Sequence, residues 1–190
     1  HVEMVTLPSH CGTHIDAPMH KLKHWKGLAD FPLDAFTGKA VVADFRDCDG
    51  KEQFGPEELR AALPRRIKDR VVLLATGWGY KRHDLEAWND EVPHLSPDGA
   101  NWLVDKEIRA VGIDHWTVGG PTEPDDSLTH SILMADNIWI IENMLFPERL
   151  FEIRQPIEFW CLPVNMPKLT GALCRPVAVV RSRKALSGKP

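Results

Sequence analysis

Short apolar runs rich in β-branched residues alternate along this chain with segments that carry helix start and stop signals. The clearest run, RVVLLATGW (70–78), is continuously apolar and ends in a glycine turn, which is typical of a buried central strand. The clearest helix, GPEELRAAL (55–63), has Pro56 in its first turn and is followed by Pro64 as a stop. The pattern predicts strands at 2–7, 39–45, 70–78, 110–118, 138–143, 157–164 and 176–182, and helices at 55–63, 96–108 and 126–137.

Alternating strands and helices predict an α/β fold, and because some consecutive strands lack a helix between them, the central sheet should be mixed. A chain of 190 residues, 43% of them hydrophobic, is long enough to bury one core. It contains no internal repeat and no linker-like change of composition, so a single domain over 1–190 is expected. The chain begins at His1 and is strand-like from Val2, so we expect an N-terminal strand region to precede this numbering.

The charge and hydropathy of the chain argue against two classes of partner. A formal net charge of −4 shows no basic excess, so a nucleic acid is not expected as a ligand. There is no run of 18 apolar residues and no basic-then-apolar leader, so we expect no membrane span and a cytoplasmic location. The four cysteines form no CxxC pair, which fits reduced thiols.

The segment SHCGTHIDAPMH (9–20) gathers three histidines and an aspartate at His10, His14, Asp16 and His20. Their even spacing would place all four on one side of an extended chain. A straight strand would hold His10 and His14 roughly 13 Å apart, too far for one ion with metal–nitrogen bonds of about 2.0–2.1 Å. The chain must therefore bend, and Gly12 and Pro18 permit a bend. Surface histidines in a loop are the alternative, but so dense a cluster favours a metal site.

A metal site needs ligands from a second segment, and the best candidates are His130 and Glu142. Glu142 closes the apolar run IWIIE, where a buried carboxylate is costly unless it is paired or binds a cation. His130 precedes it by twelve residues on the expected helix 126–137. His130 alone would be read as a residue of the helix surface, whereas together with Glu142 it becomes a credible ligand.

With this histidine stretch and with His130 and Glu142, the chain resembles the Putative cyclase family of metal-dependent hydrolases, which includes bacterial kynurenine formamidases (arylformamidases) and isatin hydrolases. HCGTHIDAPMH resembles the family signature HxGTHxDxPxH, and HSILMADNIWIIENM resembles its His-x11-Glu stretch. LLATGW, VGIDHWTV and GALCRPVAVV are similar to three further strand segments of the family, so the resemblance covers nearly the whole chain.

The resemblance implies a role for each of these residues. His10, His14 and Asp16 would bind one metal ion, with Asp16 reaching toward a second. His130 and Glu142 would complete the second site, and His20 would be the acid/base rather than a ligand. The family implies a compact domain of the swivelling β/β/α type, assembled as a homodimer or homotetramer. Glu142 favours the version with two divalent ions, commonly zinc, while manganese is an alternative.

Four further residues are candidates for contact with the substrate, namely Trp25, Trp78, His115 and Trp116. Each lies within or just after a family segment, and the tryptophans could stack on an aromatic ring. For Trp78, packing in the core is an equally good interpretation. For His115, so is a structural role in which the ring hydrogen-bonds to the backbone. The continuation HWTVGG (115–120) departs from the Thr-Pro-Ser type of many relatives, so the substrate stays open.

The donor set suits catalysis, because a His/Asp/Glu site leaves open positions on its ion and lowers the pKa of a bound water toward roughly 7. We therefore expect an amidohydrolase that uses metal-bound hydroxide to cleave a C–N bond in a small molecule, an aryl formamide such as N-formylkynurenine. The first alternative is an isatin-hydrolase-like enzyme that opens a cyclic amide or lactone. The second is a metal-binding domain without turnover.

Overall fold

The fold is built on an eight-stranded mixed sheet whose four middle strands run parallel. The computed structural model describes residues 1–153 and 157–180. Its strands are β1 (His14–Asp16), β2 (Thr37–Asp44), β3 (Gln53–Phe54), β4 (Arg70–Ala75), β5 (His94–Leu95), β6 (Ala110–Ile113), β7 (Trp139–Glu142), β8 (Ile157–Trp160), β9 (Gly171–Leu173) and β10 (Val177–Val179). The order across the sheet is β10–β8–β2–β4–β6–β7–β1–β9, while β3 and β5 form a separate parallel pair.

Four short α-helices connect these strands. They are α1 (Pro56–Ala62), α2 (Leu85–Asp90), α3 (Pro97–Asp105) and α4 (Asp125–Ala135), and single 3-10 turns cover Pro18–His20, Leu28–Asp30, Leu33–Phe36, Trp78–Lys81 and Glu148–Leu150. The Ser96 side chain caps α3 by accepting a hydrogen bond from the Gly99 N–H, and Pro97 takes the first helical position. None of the helices in the described ranges is long and apolar enough to cross a bilayer.

The α/β class and the mixed sheet expected from the sequence are confirmed. Strands β2, β4, β6, β7, β8 and β10 and helices α1, α3 and α4 lie within or near the expected ranges. The strands expected at 70–78 and 110–118 are shorter than expected, because β4 ends at Ala75 and β6 ends at Ile113. The next residues, Thr76 and Asp114, hydrogen-bond to each other instead of to the strand ladder. The last residues of the expected strand 176–182 lie outside the described range.

The strand expected at 2–7 is wrong. In the part of the chain that the structure describes, this segment pairs with no strand, and Val2 and Met4 are 98% and 95% exposed. Strand propensity reflects packing against neighbouring strands and burial, and this segment has neither: its large apolar side chains are exposed, and β1 is already paired on both sides, with β7 and β9. The sequence reading also missed β1 and β9, each only three residues long, and helix α2.

Alternating side chains divide the interior into two cores on opposite faces of the sheet. On one face, Val72 and Leu74 of β4 pack with residues of α1, α3 and α4 such as Leu59, Leu103 and Leu133. On the other, Val71 and Leu73 pack with aromatic and aliphatic residues that include Phe36, Trp139 and Phe159. Full burial of each such aliphatic side chain contributes about 1.5–3 kcal/mol. The face that packs against α1, α3 and α4 is called the helix-covered face. Burying a polar side chain there is costly unless it has a hydrogen-bond or charge partner.

Candidate metal centre

The register of β1 against β7 brings three of the sequence-predicted ligands to the helix-covered face. His14 pairs directly with Glu142, and Asp16 lies two residues farther along β1. Side chains alternate along a strand, so Ile15 and Ile141 point into the opposite core while His14, Asp16 and Glu142 share one side. All three of these polar residues are buried.

His10 reaches the same place because the chain bends at Gly12. Gly12 has a φ of +53°, a left-handed conformation that glycine adopts without the strain of a Cβ atom. The bend brings the rings of His10 and His14 to 5.2 Å between centroids, and His10 Nδ1 lies 2.7 Å from Asp16 Oδ1. His14 Nε2 lies 3.2 Å from the same oxygen. The bend that the sequence required is thus present, and Pro18 starts a 3-10 turn just beyond it.

Helix α4 delivers His130 from above the sheet to form a second group of ligand atoms. His130 Nε2 lies 3.2 Å from Glu142 Oε1 and 3.9 Å from Asp16 Oδ2. The backbone N–H of Val118 donates to Glu142 Oε1 at 2.8 Å and holds that carboxylate in place. Two groups result, His10–His14–Asp16 and Asp16–His130–Glu142, and within each the ligand atoms lie within 4.8 Å of one another. Asp16 belongs to both groups.

The outward-facing nitrogen of each candidate ligand histidine has a hydrogen-bond partner. His14 Nδ1 donates to the carbonyl of Gly12 at 2.9 Å, and His130 Nδ1 donates to that of Asp126 at 2.8 Å. His10 Nε2 bonds the Thr170 hydroxyl at 2.8 Å. The two bonds to carbonyls fix the tautomers of His14 and His130 and turn the other nitrogen inward as a lone-pair donor, which is how histidines are held in metal sites.

Several of the inward-facing atoms, by contrast, lack hydrogen bonds. Within the described residues, His14 Nε2 and both oxygens of Asp16 are buried without one, although the neighbouring rings lie close by. Buried polar atoms are almost always satisfied, so a cluster of unsatisfied ones calls for a missing partner. A set of imidazole nitrogens and carboxylate oxygens fits a divalent cation as that partner.

The electrostatics of the site show how strongly it attracts positive charge. Burial would lower the pKa of His14, but the carboxylates of Asp16 and Glu142 outweigh it and raise that pKa to about 9. Burial likewise lowers the pKa of His130, but the carboxylates of Asp126 and Glu142 outweigh burial and raise that pKa to about 10. Burial and the charge of Asp16 together raise the pKa of Glu142. A divalent cation would therefore displace protons when it binds.

His20 lies beside the two groups but belongs to neither. Its ring is 4.0 Å from that of His10 and 6.0 Å from that of His130, measured between centroids. Burial lowers the pKa of His20 to about 4, so its imidazole is neutral at pH 7 and can accept a proton. The position agrees with the acid/base role predicted from the resemblance, and the role itself stays a prediction.

Three of the four predicted substrate contacts gather around a tryptophan that the sequence reading missed. His115 is fully buried and stacks on Trp88, with centroids 4.1 Å apart and planes 17° from parallel. Trp116 Nε1 donates to the Trp88 carbonyl at 3.0 Å, and the Trp78 ring is 6.0 Å from that of His115. Trp25 is instead 46% exposed after the turn that carries His20. Substrate contact by these residues stays a prediction, and no motif marked Trp88.

Asp114 is a further buried carboxylate that organises this edge of the sheet. It accepts hydrogen bonds from the Thr76 N–H at 2.8 Å, the Thr76 hydroxyl at 2.7 Å and the Gly77 N–H at 2.9 Å. These bonds tie the loop after β4 to the end of β6. The signal that identified Glu142, a carboxylate closing an apolar strand, applies equally to Asp114 and could have found it.

Comparison with other proteins places the chain in a family. The family model described as "Putative cyclase" matches residues 2–119. The kynurenine formamidase of Bacillus cereus is 30% identical over 144 residues, which are 76% of this chain and 65% of that protein. That of Bacillus mycoides is 28% identical over 180 residues, covering 95% of this chain and 79% of the relative. The chain thus spans about two thirds to four fifths of the length of these relatives.

Among solved structures, isatin hydrolase A from Labrenzia aggregata, bound to benzyl benzoate, superposes with a TM-score of 0.78 at 20% identity. The superposition covers 93% of this chain and 75% of that one. At this identity the likeness concerns the fold. The matched segment 2–119 includes the whole histidine stretch and Asp114, whereas His130 and Glu142 lie beyond it. The chain therefore belongs to the Putative cyclase family.

Proposed function

We propose that this protein is a metal-dependent hydrolase that cleaves the C–N bond of a small amide, an aryl formamide such as N-formylkynurenine. The observation that carries the proposal is the pair of ligand groups joined by Asp16, whose buried oxygens have no hydrogen bond in the described residues. The choice of substrate rests on the kynurenine formamidases of Bacillus cereus and Bacillus mycoides, which are similar over most of the chain.

The residues of the site divide the work of such a reaction. Two divalent ions would be held by the two candidate groups, which share Asp16: His10, His14, Asp16, His130 and Glu142. When bound, such ions supply a water of lowered pKa and polarise the substrate carbonyl. His20 belongs to neither ligand group but lies beside both, so it would be placed to take a proton and pass it to the leaving nitrogen.

Zinc is the proposed metal, because imidazole and carboxylate together suit it well, and manganese is the alternative. A titration of chelator-treated protein with Zn²⁺, followed by metal analysis after desalting, should give two ions per chain. A result of one ion per chain would mean that only one of the two ligand groups binds a metal. We also propose a homodimer or homotetramer, which light scattering after size-exclusion chromatography measures directly.

The test of the activity is the absorbance change when zinc-loaded protein meets N-formylkynurenine, with and without EDTA. Turnover that EDTA abolishes and Zn²⁺ restores is the expected result. Turnover of isatin but not of the formamide would move the function to ring opening of a cyclic amide. Bound zinc without turnover of formamides, cyclic amides or lactones would leave a metal-binding domain and contradict the proposed activity.

A further inference from the structure

Asp126 lies in the first turn of α4, one turn before the ligand His130, and its carboxylate joins three segments of the chain. Oδ1 accepts a hydrogen bond from the Thr117 hydroxyl at 2.6 Å, and Oδ2 accepts one from Lys21 Nζ at 3.1 Å. His130 Nδ1 lies 3.2 Å from Oδ1, in addition to its bond with the Asp126 carbonyl. The carboxylate is only 20% exposed, so these contacts are partly shielded from water.

Each partner of this carboxylate adjoins a residue of the metal centre. Lys21 directly follows His20 in the chain. Thr117 directly precedes Val118, whose N–H holds Glu142 Oε1. His130 is itself a ligand of the second group. One side chain therefore restrains the segment of the acid/base, the segment that orients a carboxylate ligand, and an imidazole ligand.

We propose that Asp126 is the positioning residue of this centre, which sets the geometry of the Asp16–His130–Glu142 group without binding the ion itself. The inference rests on the metal site of the proposed function. Residues that hold a metal-bound histidine in place typically change metal affinity by about 10–100-fold when they are replaced. Asp126 holds His130 through both its side chain and its backbone, so loss of the carboxylate should act mainly on the second ion.

The test is the dissociation constant of each Zn²⁺ ion, measured by competition with a chromophoric chelator in wild type, Asp126→Asn and Asp125→Asn. Asp125→Asn is the matched control because it removes the same charge from the same helix turn. We expect Asp126→Asn to weaken the second ion about 10–100-fold and to leave the first within threefold. Asp125→Asn should leave both within threefold. Co²⁺ in place of Zn²⁺ should show an altered visible spectrum only in Asp126→Asn.

A second pair of variants keeps the carboxylate and changes one partner. Thr117→Val removes the hydroxyl that donates to Asp126, whereas Thr117→Ser retains it. We expect the valine variant to weaken the second ion and the serine variant to restore it, which a purely structural role would not produce. If Asp126→Asn does not fold, the two Thr117 variants test the positioning role of Asp126 in its place.

The two proposals fail in different ways. A wild-type protein that binds no Zn²⁺ would refute the metal site and the role of Asp126 with it. Two ions in wild type, with unchanged affinities in both Asp126→Asn and Thr117→Val, would refute only the role of Asp126.

Discussion

Gly171→Ala should weaken binding of the first metal ion without replacing any of the proposed ligands. Gly171 pairs with Asp16 across β9 and β1, and the ring of His10 lies over it. A Cβ atom at Gly171 would lie 2.5 Å from His10 Cε1 and 2.9 Å from both ring nitrogens. Ordinary contact begins at 3.4 Å, so the ring must move by about 0.9 Å. Metal–ligand distances tolerate only about 0.2 Å.

The fold should survive this change, because the side chain of His10 is 24% exposed and can swing toward solvent. We expect the metal-free variant to lose no more than about 1 kcal/mol, the lower end of the cost of overpacking, or roughly 2–4 °C in Tm for a chain of this size. The first ion should bind at least about 100-fold more weakly, the upper end of the cost of losing a residue that merely supports a ligand. The second ion should bind as in wild type.

The assay is a Zn²⁺ titration monitored by metal analysis, with the Tm of the metal-free protein recorded in parallel. Gly27→Ala is the control, since a Cβ there would meet its neighbours only at 3.5 Å or more. Two ions with wild-type affinity in Gly171→Ala would refute the argument that His10 is a ligand. A fall in Tm well beyond 4 °C would show that the His10 ring cannot move and that the backbone shifts instead.

Three further predictions concern the site and its support. His20→Ala should keep both ions and lose about 10²–10⁴-fold in turnover of N-formylkynurenine, and loss of an ion would show that His20 is a ligand. Glu142→Gln should lose the second ion and keep the first, as measured by metal analysis after desalting, and retention of both at full affinity would remove Glu142 from the ligand set. Leu133→Ala truncates a fully buried residue of α4 and should lower the free energy of unfolding in urea by about 2–5 kcal/mol. A loss below 1 kcal/mol would mean that the helix-covered core collapses onto the gap.

The grouping of the candidate ligands could be predicted from the sequence because their chemistry is dense and local, while their binding of a metal stays a prediction. Seven residues contain His10, His14 and Asp16, and a straight chain could not bring them to one ion. A bend at Gly12 was therefore predicted, and the structure has one there. Glu142 stood out because a carboxylate at the end of an apolar strand needs a partner. The α/β class followed in the same way from periodicity and from helix caps such as Ser96.

The supporting residues could not be predicted, because their roles depend on contacts between distant segments. The Asp126 carboxylate accepts a hydrogen bond from Lys21, 105 positions away, and the place of Trp88 under His115 is set by ring stacking and by a hydrogen bond from Trp116. The same holds for the wrong strand at 2–7, whose residues have strand propensity but pair with no strand in the described part of the chain.

The sequence by itself thus determined the class of fold, the candidate donor residues and the need for a bend, since these follow from residue chemistry and local geometry. Only the tertiary structure decided the register that sets His14 against Glu142. It also decided the approach of α4 that places His130 near Asp16, and the division of the donors into two groups joined by that carboxylate. The reason is physical: strand register and helix placement are fixed by burial of the two cores, which involves the whole chain at once.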